Sequence, residues 1–259
     1  MFTDSHCHLD FPCFNAEFEH LLLLLAQIKL TKLLIPATQE SGWSAIKKIA
    51  DSYPVIYYAL GLHPHFLASF KASDLTRLHD MLLTRDHKCV ALGEIGLDKF
   101  AQASQIQQES VFIQQLHIAQ SLKLPIILHC VKKQGRILEL LQIHNFTQGG
   151  VYHAFSGSLE VAHSFIKLGF KLGVGGVITY PNSTKTRHTF AQLPLEVLLL
   201  ETDAPDMPLY QQATKNNSPL NIIPIFECFL SLRSEPKEQV ARQLYENMHN
   251  IFSLSNDKY

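Results

Sequence analysis

The chain has 259 residues, 46% of them hydrophobic and 17% charged, enough for one large α/β domain or two small ones. Its formal net charge is -1 with histidines neutral, which excludes the basic footprint of a protein that grips duplex nucleic acid through a long-range field. The five cysteines form no CxxC pair, and neither a signal peptide nor a bilayer-length apolar run is evident, so a reduced, cytoplasmic setting is expected.

A first strand is expected over 2–9, and it carries His6-x-His8. Side chains two apart in an extended strand share a face, so two imidazoles there can grip one divalent ion. Asp4 and Asp10 fall on that face, and Cys7 points away. The leucine run over 21–26 is too short to cross a bilayer. Strands follow over 33–36 and 55–62, the latter running into Gly61-Leu-His63-Pro-His65. From Asp74 a helical stripe passes through Leu75, Leu78 and Leu82. The strand over 89–96 leads into Gly93-Glu94-Ile-Gly-Leu-Asp98. A helix over 105–124 aligns Phe112, Leu116 and Ala119, and Pro125 stops it.

A fifth strand, 126–130, ends Leu128-His129-Cys130, and a sixth, 150–155, carries His153-Ala-Phe-Ser156-Gly157. Ser158 can cap a helix whose Leu159, Ala162, Phe165 and Ile166 share a face. Strands over 170–178 and 197–203 come next, the last ending Glu201-Thr-Asp203-Ala-Pro205. Closing helices are expected over 224–232 and 236–252, with Val240, Leu244 and Met248 along one side of the second.

Most of these strands are continuous apolar runs, as parallel strands covered on both faces require. Eight βα units without a linker or low-complexity tract predict an α/β fold, a (β/α)8 TIM barrel, as a single domain over 1–259. A doubly wound open sheet is the alternative, but no GxGxxG follows the first strand.

Functional residues of such a barrel sit at the C-terminal ends of its strands. His6, His8, Glu94, His129, His153 and Asp203 all fall there. A lone histidine after a strand is commonly a packing or hydrogen-bonding residue. A carboxylate closing an apolar strand, as Glu94 and Asp203 do, is seldom buried unless paired or metal-bound. Agreement across five strands is the specific signal. His6, His8, Glu94 and Asp203 make an N/O set suited to zinc, manganese or a similar ion. Glu94, His129 and His153 make a second set, with Glu94 bridging ions about 3.5–4 Å apart. Two dications outweigh two carboxylates, so the centre suits an anionic substrate such as a phosphodiester. Cys7 and Cys130 turn away from the ligand face and read as small buried hydrophobes. His20, His79, His87, His117, His144, His163, His188 and His249 lie mainly in helical or loop stretches and read as ordinary packing or surface residues.

With these residues assembled, the chain resembles the TatD family of metal-dependent hydrolases, of the amidohydrolase-like barrel superfamily, and within it the YjjV-like branch. The resemblance rests on Asp4-Ser-His-Cys-His-Leu-Asp10, Gly93-Glu-Ile-Gly-Leu-Asp98, His153-Ala-Phe-Ser-Gly157, Gly173-Val-Gly-Gly-Val-Ile-Thr-Tyr-Pro181 and Leu200-Glu-Thr-Asp-Ala-Pro205, with Asp206-Met-Pro208 and the Ser183 to Arg187 stretch for the branch. It implies two divalent ions (Zn, Mn or Mg), one on His6, His8, Glu94 and Asp203 and one on Glu94, His129 and His153. It implies hydrolysis of ester bonds, in several members those of DNA. His63 and His65 match the Gly-x-His-Pro-His element that faces substrate, and Asn217 and Pro219 stand at a late Asn-x-Pro. The chain departs from the family where an Arg often follows the fifth-strand histidine. Here Val131, Lys132 and Lys133 follow Cys130, and Lys215 and Asn216 precede Asn217. Lys lacks the bidentate fork of Arg.

The expected function is a phosphodiester-cleaving deoxyribonuclease, with Asp203 and Glu94 as catalytic residues around a water activated by two metal ions. The alternatives are a small-molecule amide, lactone or ester hydrolase on the same centre, and a noncatalytic metal-binding module. The expected partner is DNA or another phosphodiester, with no membrane, and the chain is expected to be a monomer.

Overall fold

The computed structural model describes residues 1–254, in which strands and helices alternate from end to end. The strands are β1 (Phe2–Asp4), β2 (Leu30–Pro36), β3 (Ile56–Leu60), β4 (Cys89–Asp98), β5 (Ile126–Val131), β6 (Gly150–Tyr152), β7 (Phe170–Val174) and β8 (Leu198–Leu200). The helices are α1 (Phe18–Gln27), α2 (Trp43–Ser52), α3 (Ala72–Leu83), α4 (Gln105–Ser121), α5 (Gln134–Ile143), α6 (Leu159–Lys167), α7 (Thr184–Gln192), α8 (Ile222–Leu230) and α9 (Lys237–Ile251). The strands pair in parallel in chain order. Past the regular pairing, β8 meets β1. Ser5 N donates to the Leu200 carbonyl at 3.0 Å, Asp203 N to that of His6 at 2.8 Å, and His8 N to that of Ala204 at 2.7 Å. The sheet is thereby a closed (β/α)8 barrel.

Several strands are shorter than the apolar runs suggest, and at the β1–β8 seam the reason is a side chain. Asp4 is fully buried. Its Oδ1 accepts from His6 N at 3.1 Å and Thr202 N at 3.0 Å, and its Oδ2 accepts from the Thr202 hydroxyl at 2.6 Å. This carboxylate stands where a ladder carbonyl would otherwise be, so regular pairing stops at Asp4 and Leu200. His6, His8 and Asp203 then lie on irregular backbone above the ring. Asp203 itself has φ +59°, a left-handed conformation that Asp tolerates better than most residues. In the other direction β4 runs longer than expected, to Asp98, and is buried throughout.

Helix α4 shows how the outer layer fixes the strand ends. Ser104 caps it, its Oγ accepting from Gln107 N at 3.2 Å. The helix packs Val111, Phe112, Leu116 and Ala119 against the barrel, each large apolar side chain contributing about 1.5–3 kcal/mol. Two glutamines are buried among them. Gln115 accepts from Leu62 N at 2.8 Å and donates to Leu62 O at 3.1 Å, and Gln108 accepts from Asp98 N at 2.9 Å. The segments that carry His63 and Asp98 are therefore fastened to one helix. Among the described residues no helix is long and apolar enough to cross a membrane.

Candidate metal centre

The six expected ligands meet at the C-terminal mouth of the barrel, around Glu94. Its Oε2 lies 3.3 Å from His6 Nε2 and 3.4 Å from His8 Nε2. Asp203 Oδ1 completes that group, 3.5 and 3.8 Å from the same two nitrogens. Oε1 faces the other way, 2.6 Å from His153 Nε2 and 2.9 Å from His129 Nδ1. The two groups touch where the His6 and His153 rings stack, their centroids 3.9 Å apart. Among the described residues, donor atoms of His6, His8 and Asp203, of His6, Glu94 and His153, and of His63, Glu94 and His129 lie close enough together to hold an ion.

Burial and neighbouring charge oppose each other in this cluster: burial works to lower His8 and His129, but Glu94 raises His8, and Asp98 with Glu94 raises His129, each to about 9. Burial keeps His6 well below the usual imidazole range, and the neighbouring His153 adds to the effect. Burial works to raise the Glu94 carboxyl, but His153, His63, His6 and the hydrogen bond from His129 outweigh it and hold it well below the carboxylate range. Asp203 is pushed up to about 6 by burial, against the pull of His153 and His8. Glu94 Oε2 is buried without a hydrogen-bond partner, the condition of an oxygen built to meet a cation.

The expected substrate-side histidines differ from each other. His63 is buried, and burial lowers it to about 4, so it is neutral. Its Nδ1 accepts from His65 N at 3.1 Å, which leaves the ring proton on Nε2, 3.4 Å from Glu94 Oε1. With its proton on Nε2, His63 is a donor aimed into the site, and its ring also stands within reach of an ion held by Glu94 and His129. His65 stands at the mouth, its Nε2 2.8 Å from Asp98 Oδ2. The cavity above the cluster has a volume of about 480 Å³, and its walls include Phe11, Thr38, Phe66 and Met207. Among the described residues no Lys or Arg lines it.

Residues that the sequence pattern leaves without a role contact the expected ligands or their neighbours. Asp98 lies 2.8 Å from His129 Nε2. Glu201 is fully buried. It accepts from Ala154 N, next to His153, and from the Ser5 hydroxyl, next to His6. The signal for Asp98 and Glu201 is available in the chain: each is a second carboxylate within a strand-end run that already supplies one. Asn217 does not face the cavity. Its Nδ2 donates to the Thr202 carbonyl at 2.8 Å and fixes the turn behind Asp203. Lys132 lies over the Phe100 ring and Lys133 donates to Gln105. Cys7 and Cys130 are buried, and burial drives both thiols up, Cys130 to about 11.

The family profile of the TatD related DNases matches residues 3–253. The chain belongs to that family. A TatD-family hydrolase from Escherichia coli K12, the uncharacterized metal-dependent hydrolase YjjV, is 41% identical over 98% of both chains. An uncharacterized metal-dependent hydrolase of Haemophilus influenzae is 36% identical over 97% of this chain and 99% of its own. The crystal structure of YjjV superposes with a TM-score of 0.94 over 98% of each chain. The TatD-family hydrolase of Entamoeba histolytica shares the fold at 20% identity, with a TM-score of 0.89 over 98% of each chain. This TatD-family chain is accordingly a metal-dependent hydrolase.

Proposed function

We propose that this protein hydrolyses phosphodiester bonds in DNA with two divalent ions, one on His6, His8, Glu94 and Asp203, the other on Glu94, His129 and His153. What supports the reading is the division of Glu94, whose two oxygens face two separate groups of donors. Imidazole-rich sets of this kind suit zinc better than magnesium, which prefers oxygen. When bound, such ions lower the pKa of a coordinated water and polarise a phosphoryl oxygen.

The chain's own groups divide the remaining work. Asp203 lies at the edge of the first donor set and in the cavity wall, so it orients the attacking water and accepts its proton. As the water oxygen bonds to phosphorus, the bond to the departing alkoxide breaks, and the alkoxide takes the proton that Asp203 accepted, which returns Asp203 to its ionised form. The His63 Nε2–H donates to an oxygen of the phosphoryl group as charge grows there. Phe11, Phe66 and Met207 narrow the mouth and exclude bulk water.

Metal content measured on the purified protein, coupled to cleavage of single-stranded and duplex DNA with and without a chelator, tests the proposal. The expected result is two ions per chain and cleavage that a chelator abolishes and zinc or manganese restores. DNA cleavage indifferent to chelation would refute it. A second reading, hydrolysis of a small ester, lactone or amide, is favoured by a cavity wall that holds no Lys or Arg among the described residues. Turnover of such substrates without cleavage of DNA selects it.

A further inference from the structure

Asp98 is 4% exposed and is placed beside the donor cluster without belonging to either expected ligand set. Its Oδ1 accepts from Phe100 N at 2.6 Å. Its Oδ2 faces two imidazoles, His129 Nε2 and His65 Nε2, each at 2.8 Å. The opposite nitrogen of His129, Nδ1, points into the centre, 2.9 Å from Glu94 Oε1 and 3.0 Å from His153 Nε2. Close approach of the two strands fixes the backbone that carries this ring. At Gly96, where φ is +155°, a Cβ would fall 1.8 Å from the His129 carbonyl oxygen, so only glycine lets β4 and β5 come so near.

We infer that Asp98 is a positioning residue that holds the proton of His129 on Nε2 and so keeps the Nδ1 lone pair turned into the metal centre. A neutral imidazole carries one proton, and of the two carboxylates that face His129 only Asp98 lies outside both ligand sets, so with Glu94 engaged by an ion the acceptor left to hold that proton is at Nε2. Asp98 can only accept in its ionised form. The inference rests on the reading of His129 as a ligand, and it concerns a residue outside both ligand sets.

The role separates Asp98→Asn from Asp98→Ala in an unusual order. The Phe100 N–H already demands an acceptor on one side of the side chain. An asparagine that keeps this bond presents its NH2 group to His129 Nε2. That nitrogen must then accept, the proton moves to Nδ1, and the ligand lone pair is lost. Alanine removes the support but forces no tautomer. Loss of such support costs about 10–100-fold in metal affinity, and the isosteric Asp98→Asn should cost more than Asp98→Ala. A role confined to packing gives the reverse order, since the amide preserves shape.

The experiment is calorimetric titration of zinc into the metal-free full chain, for the wild type and for D98N, D98A, H65A and H129A, each checked for folding by circular dichroism. The inference expects the wild type to take two ions, H129A to lose one, and H65A to keep both. It expects D98A to weaken one ion about 10–100-fold and D98N to weaken that ion further. In the zinc-loaded wild type, 15N resonances of His129 should show Nε2 protonated and Nδ1 bound. If H129A titrates like the wild type, the two-ion reading falls and the inference with it. If H129A loses an ion while D98N matches the wild type, the two-ion reading stands and the role of Asp98 is overturned. Asp98, His65 and His129 are also close enough to hold an ion themselves. A third zinc that both H65A and D98A delete would make Asp98 a ligand and overturn the positioning role.

Discussion

Adding one methyl group at Gly173 should disturb the centre from beneath. Gly173 lies on β7, and a Cβ built on it would stand 2.2 Å from Glu201 Oε2 and 2.3 Å from Glu201 Cδ. Carbon contacts are at rest near 3.5–4.0 Å, so in Gly173→Ala the carboxylate must retreat by more than about 1 Å. Glu201 then releases the Ala154 N–H and the Ser5 hydroxyl. Overpacking of a barrel interior costs about 1–3 kcal/mol, and a buried N–H left without its acceptor about 1–3 kcal/mol more. Together these predict a loss of about 2–6 kcal/mol, which in a chain of this size lowers the melting temperature by about 4–24 °C. Thermal melts of the metal-free protein, followed by far-ultraviolet circular dichroism, measure it directly. The decisive comparison is a double-mutant cycle with Glu201→Ala, which removes the group that the new methyl strikes. Gly173→Ala should cost much less in that background, with a coupling of about 1–3 kcal/mol. An equal fall in melting temperature in both backgrounds would refute the reasoning.

Asp203→Asn, with its fold intact, should lose at least about a hundredfold in the rate of DNA cleavage, the lower range for a general base, and steady-state kinetics on purified protein will show it. Chelation should lower the melting temperature of the metal-loaded wild type, because an ion bound only by the native state stabilises it; in Glu94→Gln the same chelator should produce a smaller shift. Away from the centre, Asp86 ties α2, β3 and the start of β4 together. Burial works to raise its pKa, but the Lys47 ammonium and the hydrogen bonds from Lys88 N and the Tyr58 hydroxyl, at 2.9 and 3.0 Å, bring it below the usual value. A depressed folded pKa means that this stabilisation is present above the unfolded value of about 3.9 and is lost as pH falls through the folded one. Asp86→Asn should therefore flatten the acid limb of the stability curve below about pH 4, as urea titrations across that range will report.

The barrel was legible because its strands are short apolar runs with polar residues at a common end, and the meeting of His6, His8, Glu94, His129, His153 and Asp203 follows once those ends are placed on one ring. Four helices, α1, α2, α5 and α7, escaped the pattern. In α1 the leucines run around the cylinder, with only Leu21 and Leu25 buried, so no stripe stands out. In α7 the buried face is Thr186, Thr189 and Phe190, two of them polar. Helix α2 does carry a stripe, Trp43, Ile46 and Ala50, over only ten residues. The shortness of β1 and β8 was not legible, because it depends on an Asp4 carboxylate meeting Thr202 across the closing seam. Nor was the difference between His63 and His129 as donor and candidate ligand. That difference comes from which nitrogen meets a backbone N–H or a carboxylate, and spacing along the chain carries no trace of it.

The seam between the first and last strands has a consequence for when the protein comes into being as a hydrolase. Asp4 and Thr202, which lock it, are 198 positions apart, and the donors His6, His8 and Asp203 flank that lock. At about 5–20 residues per second of synthesis, His6 and His8 wait on the order of 10–40 s for their carboxylate partner to leave the ribosome. Earlier units of the barrel can form while the chain grows, but the ring cannot shut and the first donor set cannot assemble until β8 emerges. A nascent chain thus carries its histidines unassembled and inert until the last strand arrives.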